Sequence, residues 1–150
     1  MAMSLLVKDV MTKNVITIES SISAKEAAEL MHKYDIGCLI VVKEGKPVGI
    51  VTERDMLNRV LLQFRDPRLA RVNDIMSVPL IASNSETELR EALKLMNERR
   101  IKKLPIVEDS HLIGLLTITD VVRSTAYFEY IITSLCSRCK WRENPSNTSL

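Results

Sequence analysis

Shifting the sequence by 65 residues lays Val7–Arg59 over Val72–Ser124 without a gap, and identical residues recur along the whole overlap. They include Val7 and Val72, Met11 and Met76, Glu26 and Glu91, Gly49 and Gly114, Thr52 and Thr117, and Asp55 and Asp120. The second half of the chain is a copy of the first. A repeat this long, present only twice, argues against an open solenoid, which generally needs about three units to bury a continuous core. Two copies packed face to face in one globule satisfy the pattern instead.

With 150 residues of which 46% are hydrophobic, such a chain buries roughly 70% of the surface its unfolded form exposes. One compact domain of two subdomains is expected, with no need of a disulfide framework. Met1–Val10 holds too short an apolar run for a signal peptide, and no stretch reaches the roughly 20 apolar residues of a membrane span. A soluble, cytoplasmic protein is expected. The net charge of +2 gives no global attraction to nucleic acid or membrane, so an anion site must come from local clusters.

Within the first copy, Val15–Ile18 is a short β-branched run. Ser23 followed by Glu26 is a capping box opening a helix that carries Ala24, Ala27, Ala28, Leu30 and Met31. Gly37 suits a turn out of that helix. Leu39–Val42 and Val48–Thr52 then read as hairpin strands around a turn at Glu44-Gly45-Lys46-Pro47. Thr52 starts another helix, with Met56, Leu57, Val60 and Leu61 on its expected buried side. The second copy repeats the plan, with a strand at Leu80–Ala82, a helix capped by Ser85 with Glu88, strands at Leu104–Val107 and Leu112–Thr117 around Glu108-Asp109-Ser110, and a helix from Thr117. The expected fold is mixed α/β (α+β), two tandem β-α-β-β-α repeats packed with pseudo-twofold symmetry. Residues 7–60 and 72–125 form the repeats. Asp66-Pro67 breaks the intervening helix and marks a linker over 61–71, and residues 126–150 form a helical extension and a mobile polar tail.

The motifs Gly49-Ile50-Val51-Thr52-Glu53-Arg54-Asp55 and Gly114-Leu115-Leu116-Thr117-Ile118-Thr119-Asp120 each place Thr and Asp at a helix start. Together with Val7–Thr12, Val72–Ser77 and Leu104-Pro105-Ile106-Val107, they closely resemble the CBS domain, over about residues 7–125. A tandem pair of such domains is a Bateman module. The resemblance implies an adenosine-containing ligand (AMP, ADP, ATP or S-adenosylmethionine), pairing as a homodimer, and an effector protein that reads the bound state. No obligatory cofactor or metal is implied.

Carried over residue by residue, the resemblance sets Thr52, Arg54 and Asp55 opposite Met76, Ile81, Ile101, Lys102 and Lys103 in the principal, charged groove. A second groove would pair Thr117 and Asp120 with Met11, Ile16, Ile36, Gly37 and Cys38. An Asp carboxylate only accepts hydrogen bonds, which suits the hydroxyls of a ribose, while lysines only donate and suit phosphate. Thr-x-x-Asp is also a capping box that satisfies the helix's own amides; the two roles are compatible. Arg99 and Arg100 fit either dipole complementation at a helix end or an anion contact.

Cys136-Ser137-Arg138-Cys139 is a CxxC without the second pair that zinc normally requires, leaving free thiols, a metal shared between chains and a disulfide all open. Cys38 reads as a small buried residue. No nucleophile–base pair, metal cluster or phosphate loop marks an enzyme. Nucleic-acid binding through Arg54, Arg59, Arg65, Arg68, Arg71 and 99–103 is the alternative function, against which the near-neutral charge and 4% aromatic content weigh.

Overall fold

The computed structural model describes residues 4–138. The first repeat runs through β1 (Thr17–Glu19), α1 (Ala24–Tyr34), β2 (Cys38–Lys43), β3 (Lys46–Thr52) and α2 (Glu53–Met56), which continues as a π-helical stretch over Leu57–Leu61. A single turn, α3 (Val72–Ile75), opens the second repeat, followed by α4 (Leu89–Arg99), β4 (Lys103–Glu108), β5 (His111–Thr117), α5 (Ile118–Arg123) and α6 (Thr125–Arg138). β1 lies parallel to β2, and β2 pairs antiparallel with β3. β4 and β5 form a separate antiparallel pair. The mixed α+β architecture is the one the sequence leads to.

Local chemistry fixes the ends of these elements. Ser23 Oγ accepts the Glu26 amide at 3.1 Å while the Glu26 carboxylate accepts the Ser23 amide at 2.8 Å, a complete capping box at the start of α1. Asp35 and its counterpart Arg100 terminate α1 and α4 in the left-handed region, at φ 51° and 54°. Both hairpins turn through two residues of positive φ, Glu44 and Gly45 in one and Asp109 and Ser110 in the other. That twist matches the twist of the flanking strands.

The repeats exchange their leading segments. Val7 and Lys8 donate backbone hydrogen bonds to Thr87 and Ser85 of the second repeat, and Leu89 donates to Leu5. Val72 and Asn73 donate in the same way to Ile22 and Ser20 of the first repeat, and Ala24 donates to Ala70. Each bond has its copy 65 residues on, which is the pseudo-twofold relation expressed in hydrogen bonds. Apolar packing follows the same rule. Val72 and Ile75 fill the first core with Leu39, Val41 and Val51, and Val7 fills the second with Leu104, Ile106 and Leu116.

Several expectations are corrected. β1 begins at Thr17 rather than Val15. Leu80–Ala82 is no strand; a single parallel bridge, Ser83 to Ile106, remains. The first repeat shows why: there the Ile40 amide donates to Ile16 at 3.3 Å, whereas the equivalent position holds Pro105, which has no amide hydrogen to give Ile81. Ser85 does not cap α4. Glu88 occupies the N-cap position without a side-chain bond, and the Ser85 hydroxyl donates to the Glu108 carboxylate instead.

Leu57 and Leu61 are 47% and 66% exposed rather than buried, although Val60 stays in the core. The π-helical stretch, with the Leu62 amide donating to Leu57 at 2.9 Å, abandons the 3.6-residue spacing on which that expectation rests. The last helix does not run on from α5. Ser124 adopts extended backbone between α5 and α6, and its hydroxyl accepts the Tyr127 amide at 3.3 Å. Tyr127 packs on the second core, while Phe128, Ile132 and Leu135 are exposed. The side chain of Cys136, Cys139 and the stretch from Trp141 lie outside the described residues. Among the described residues no helix is long and apolar enough to cross a membrane.

Candidate functional site

Thr52 and Thr117 end the hairpins and cap the helices that follow, each hydroxyl accepting the amide three residues on, at 3.2 Å from Asp55 and 3.0 Å from Asp120. Both aspartates therefore sit at a fixed place beside the junction of the repeats. What reaches them comes from the other repeat's leading segment. Ser77 Oγ donates to Asp55 Oδ1 at 3.1 Å, and Thr12 Oγ1, in the matching position, donates to Asp120 Oδ2 at 3.3 Å.

The leading segments lie flat on the motif glycines. A Cβ on Gly49 would stand 2.9 Å from Met76 Sδ and 3.0 Å from the Ser77 carbonyl oxygen, and one on Gly114 would stand 2.6 Å from Met11 Sδ and 3.1 Å from the Thr12 carbonyl oxygen. Only glycine permits backbone to approach this closely. Short bridges, Ile50 with Ser77 and Thr12 with Leu115, seal both contacts. Met76 thus faces the Thr52 and Asp55 motif, and Met11 faces that of Thr117 and Asp120.

The other sequence-derived residues distribute less simply. Ile81 and Ile101 pack against the second core, and Ile16 and Ile36 against the first. Arg54 and Lys102 are exposed; the Lys102 carbonyl accepts the Ile118 amide at 3.3 Å, as Gly37 accepts that of Glu53. Lys103 crosses to the first repeat. Its Nζ and the Glu53 carboxylate flank Gly37, where an added Cβ would lie 3.4 Å from the one and 3.3 Å from the other. Cys38 begins β2 opposite Thr52. Burial pushes its thiol up to about 11, opposed by the Lys103 charge and reinforced by Glu53, so the thiol is unreactive near neutral pH.

Sequence reasoning passed over Ser77 and Thr12, although two hydroxyl residues at equivalent positions beside the motif were a usable signal. Arg59 enters the sequence reading only through the alternative nucleic-acid function, with no role beside the Thr-Asp motif. Arg59 Nη1 donates to the carbonyls of Ile75 and Met76 at 2.8 and 2.7 Å and stands 3.7 Å from Asp55 Oδ1.

Two cavities lie nearby. One, of about 550 Å³, runs between Leu5, α4 and α6, lined by Leu93, Tyr127, Tyr130 and Leu135. Another, of about 410 Å³, opens between α1 and α2 and includes Ile36, Gly37 and Glu53. Neither is lined by Thr52, Asp55, Thr117 or Asp120. Among the described residues, no three of His, Cys, Asp and Glu gather to hold a metal ion.

Two copies of one helix–hairpin–helix plan that exchange leading segments across paired Thr-Asp motifs define a tandem-repeat regulatory module. The CBS domain family matches residues 7–62 and again 72–127, and the chain belongs to that family. It is 38% identical over 126 residues to the uncharacterized protein MK0525 of Methanopyrus kandleri, spanning 83% of this chain and 64% of that one. The CBS domain-containing protein YhcV of Bacillus subtilis is 36% identical, with 77% of this chain and 81% of that one covered. Among solved structures, the CBS domain pair of protein MJ0100, in complex with 5′-methylthioadenosine and S-adenosyl-L-methionine, superposes with a TM-score of 0.74. It is 32% identical and covers 81% of this chain and 95% of that one.

Proposed function

We propose that the chain is a non-catalytic sensor that takes an adenosine-containing ligand into the grooves between its repeats and signals the bound state to a partner protein. The observation that carries this reading is the pair of bonds from Ser77 to Asp55 and from Thr12 to Asp120. A ribose hydroxyl that takes either carboxylate competes with a bond between repeats, so binding and the packing of the repeats are coupled. A ligand shifts such an equilibrium only by its differential affinity for the two arrangements. The adenosine compounds on the related MJ0100 pair support the ligand class.

Lys103, reaching Gly37 and Glu53 at the junction, together with exposed Lys102, favours ligands that carry phosphate. Affinity should rise from adenosine through AMP to ATP and fall with salt, since exposed charges are screened over about 8–10 Å. In a calorimetric series, Lys102→Ala with Lys103→Ala should flatten that order by about tenfold at ATP and leave adenosine little changed. Equal loss for adenosine and ATP would assign the lysines to the fold instead. Nucleic acid is a weaker reading, because Arg59, Arg68 and Arg71 are engaged with Asp55, Asp66 and the Ser21 carbonyl.

The exposed Leu57 and its repeat counterpart Val122 offer equivalent apolar positions on the two helices that follow the motifs. A homodimer built on this face is the expected state, burying more than about 1,000 Å² in total. Light scattering at micromolar concentration should give twice the 17.0 kDa chain mass. A stable monomer would remove the dimer.

A further inference from the structure

The two motif aspartates are copies in sequence but not in their surroundings. Asp55 is buried and fully engaged: Oδ2 accepts the Thr52 amide at 2.9 Å and the Thr52 hydroxyl at 3.0 Å, and Oδ1 accepts Ser77 and faces the Arg59 guanidinium. Asp120 is only half-buried. Its contacts all fall on Oδ2, from Thr117 Oγ1 at 2.6 Å and Thr12 Oγ1 at 3.3 Å, and Oδ1 has no partner among the described residues. Part of the difference traces to one substitution between the copies. Arg59 corresponds to Ser124, which lies where α5 breaks, so nothing equivalent to the guanidinium reaches Asp120. Arg59 instead binds three groups at once, holding Asp55 to the carbonyls of Ile75 and Met76.

We infer that Arg59 is a positioning residue that latches Asp55 to the leading segment of the second repeat, so that Asp120 is the carboxylate that receives the ligand's ribose. This rests on the proposed function and names which groove works first. A carboxylate already holding three hydrogen-bond donors and an ion pair must give some of them up to accept two hydroxyls, whereas Asp120 offers a whole oxygen at once. Lys103 pairs with Thr117 in the β4–β5 hairpin and its Nζ reaches Gly37 beside the Glu53 carboxylate, a cation between the two motifs. Release of Arg59 opens the Asp55 groove as a second, weaker site.

Equilibrium dialysis of the full chain against AMP tests the latch. Asp120→Asn should weaken binding by about tenfold or more, and Asp55→Asn by less than about twofold. Arg59→Met should raise the stoichiometry from one AMP per chain to two, and Arg59→Lys should restore one. A larger loss from Asp55→Asn than from Asp120→Asn, or a stoichiometry unmoved by Arg59→Met, would overturn the inference. Carbodiimide coupling of glycine ethyl ester, read by mass spectrometry, tests it without ligand. Asp120 should label faster than Asp55, and Arg59→Met should close the gap, whereas equal labelling in the wild type contradicts the latch. Failure of the wild type to bind AMP while the labelling difference holds would sink the nucleotide reading and leave the latch standing.

Discussion

Replacing Ile75 by Ala should lower stability by about 2–5 kcal/mol, the usual cost of emptying a large buried aliphatic position, and should do so for both repeats at once. Ile75 is fully buried and belongs by chain to the second repeat, yet it fills the core of the first. Val7 does the reverse. Because each core contains the other repeat's leading segment, neither repeat can lose its packing without releasing part of its twin. Thermal unfolding followed by circular dichroism should remain a single transition, lowered by about 5–15 °C for a chain of this size. Two separated transitions, or a loss below about 1 kcal/mol, would show that the repeats are independent.

Gly114→Ala should cost about 1–3 kcal/mol, as overpacking does. Its new Cβ would meet Met11 Sδ and the Thr12 carbonyl oxygen. The thioether can swing aside, but the carbonyl is held by the paired bonds between Thr12 and Leu115, both at 2.9 Å. Relief therefore requires moving the leading segment away from the motif, which also draws Thr12 from Asp120. Gly37→Ala is the control. There the neighbours are the ends of Glu53 and Lys103, flexible groups that can move, so the change should stay within about 0.5 kcal/mol. Chemical denaturation of the two variants side by side checks the contrast, and equal losses would refute the backbone argument.

The features that sequence reveals well here are those decided within a few residues. Thr52 with Asp55 and Ser23 with Glu26 are bonds between positions three apart, and the hairpins are bounded by their own turns. Exchange of the leading segments is not legible, because Val7 and Val72 are the same residue type and nothing in a periodicity says whose core each one fills. Two errors had a local sign. The repeat aligns Glu88, not Ser85, with the cap residue Ser23, and Pro105 stands where a strand pairing needs an amide. Leu57 and Leu61 are a different case, since their exposure follows from a π-helical turn that leaves no mark in an apolar pattern.

The candidate site divides along the same line. The motif residues and the methionines over them lie together because both depend on the pseudo-twofold relation. Arg59 depends on breaking it. A cation four residues after Asp55 is a familiar helical ion-pair spacing, but its hold on Ile75 and Met76 is a long-range contact that only the fold creates.

The most direct test of the account is calorimetric titration of the purified chain with AMP, ADP, ATP and S-adenosylmethionine, beside a variant carrying both Asp55→Asn and Asp120→Asn. The wild type should give saturable heat with at least one of these ligands, and the double variant none, while its thermal unfolding shows that it is still folded. Absence of heat with all four ligands, or equal binding by a folded double variant, would contradict an adenosine site built on these carboxylates.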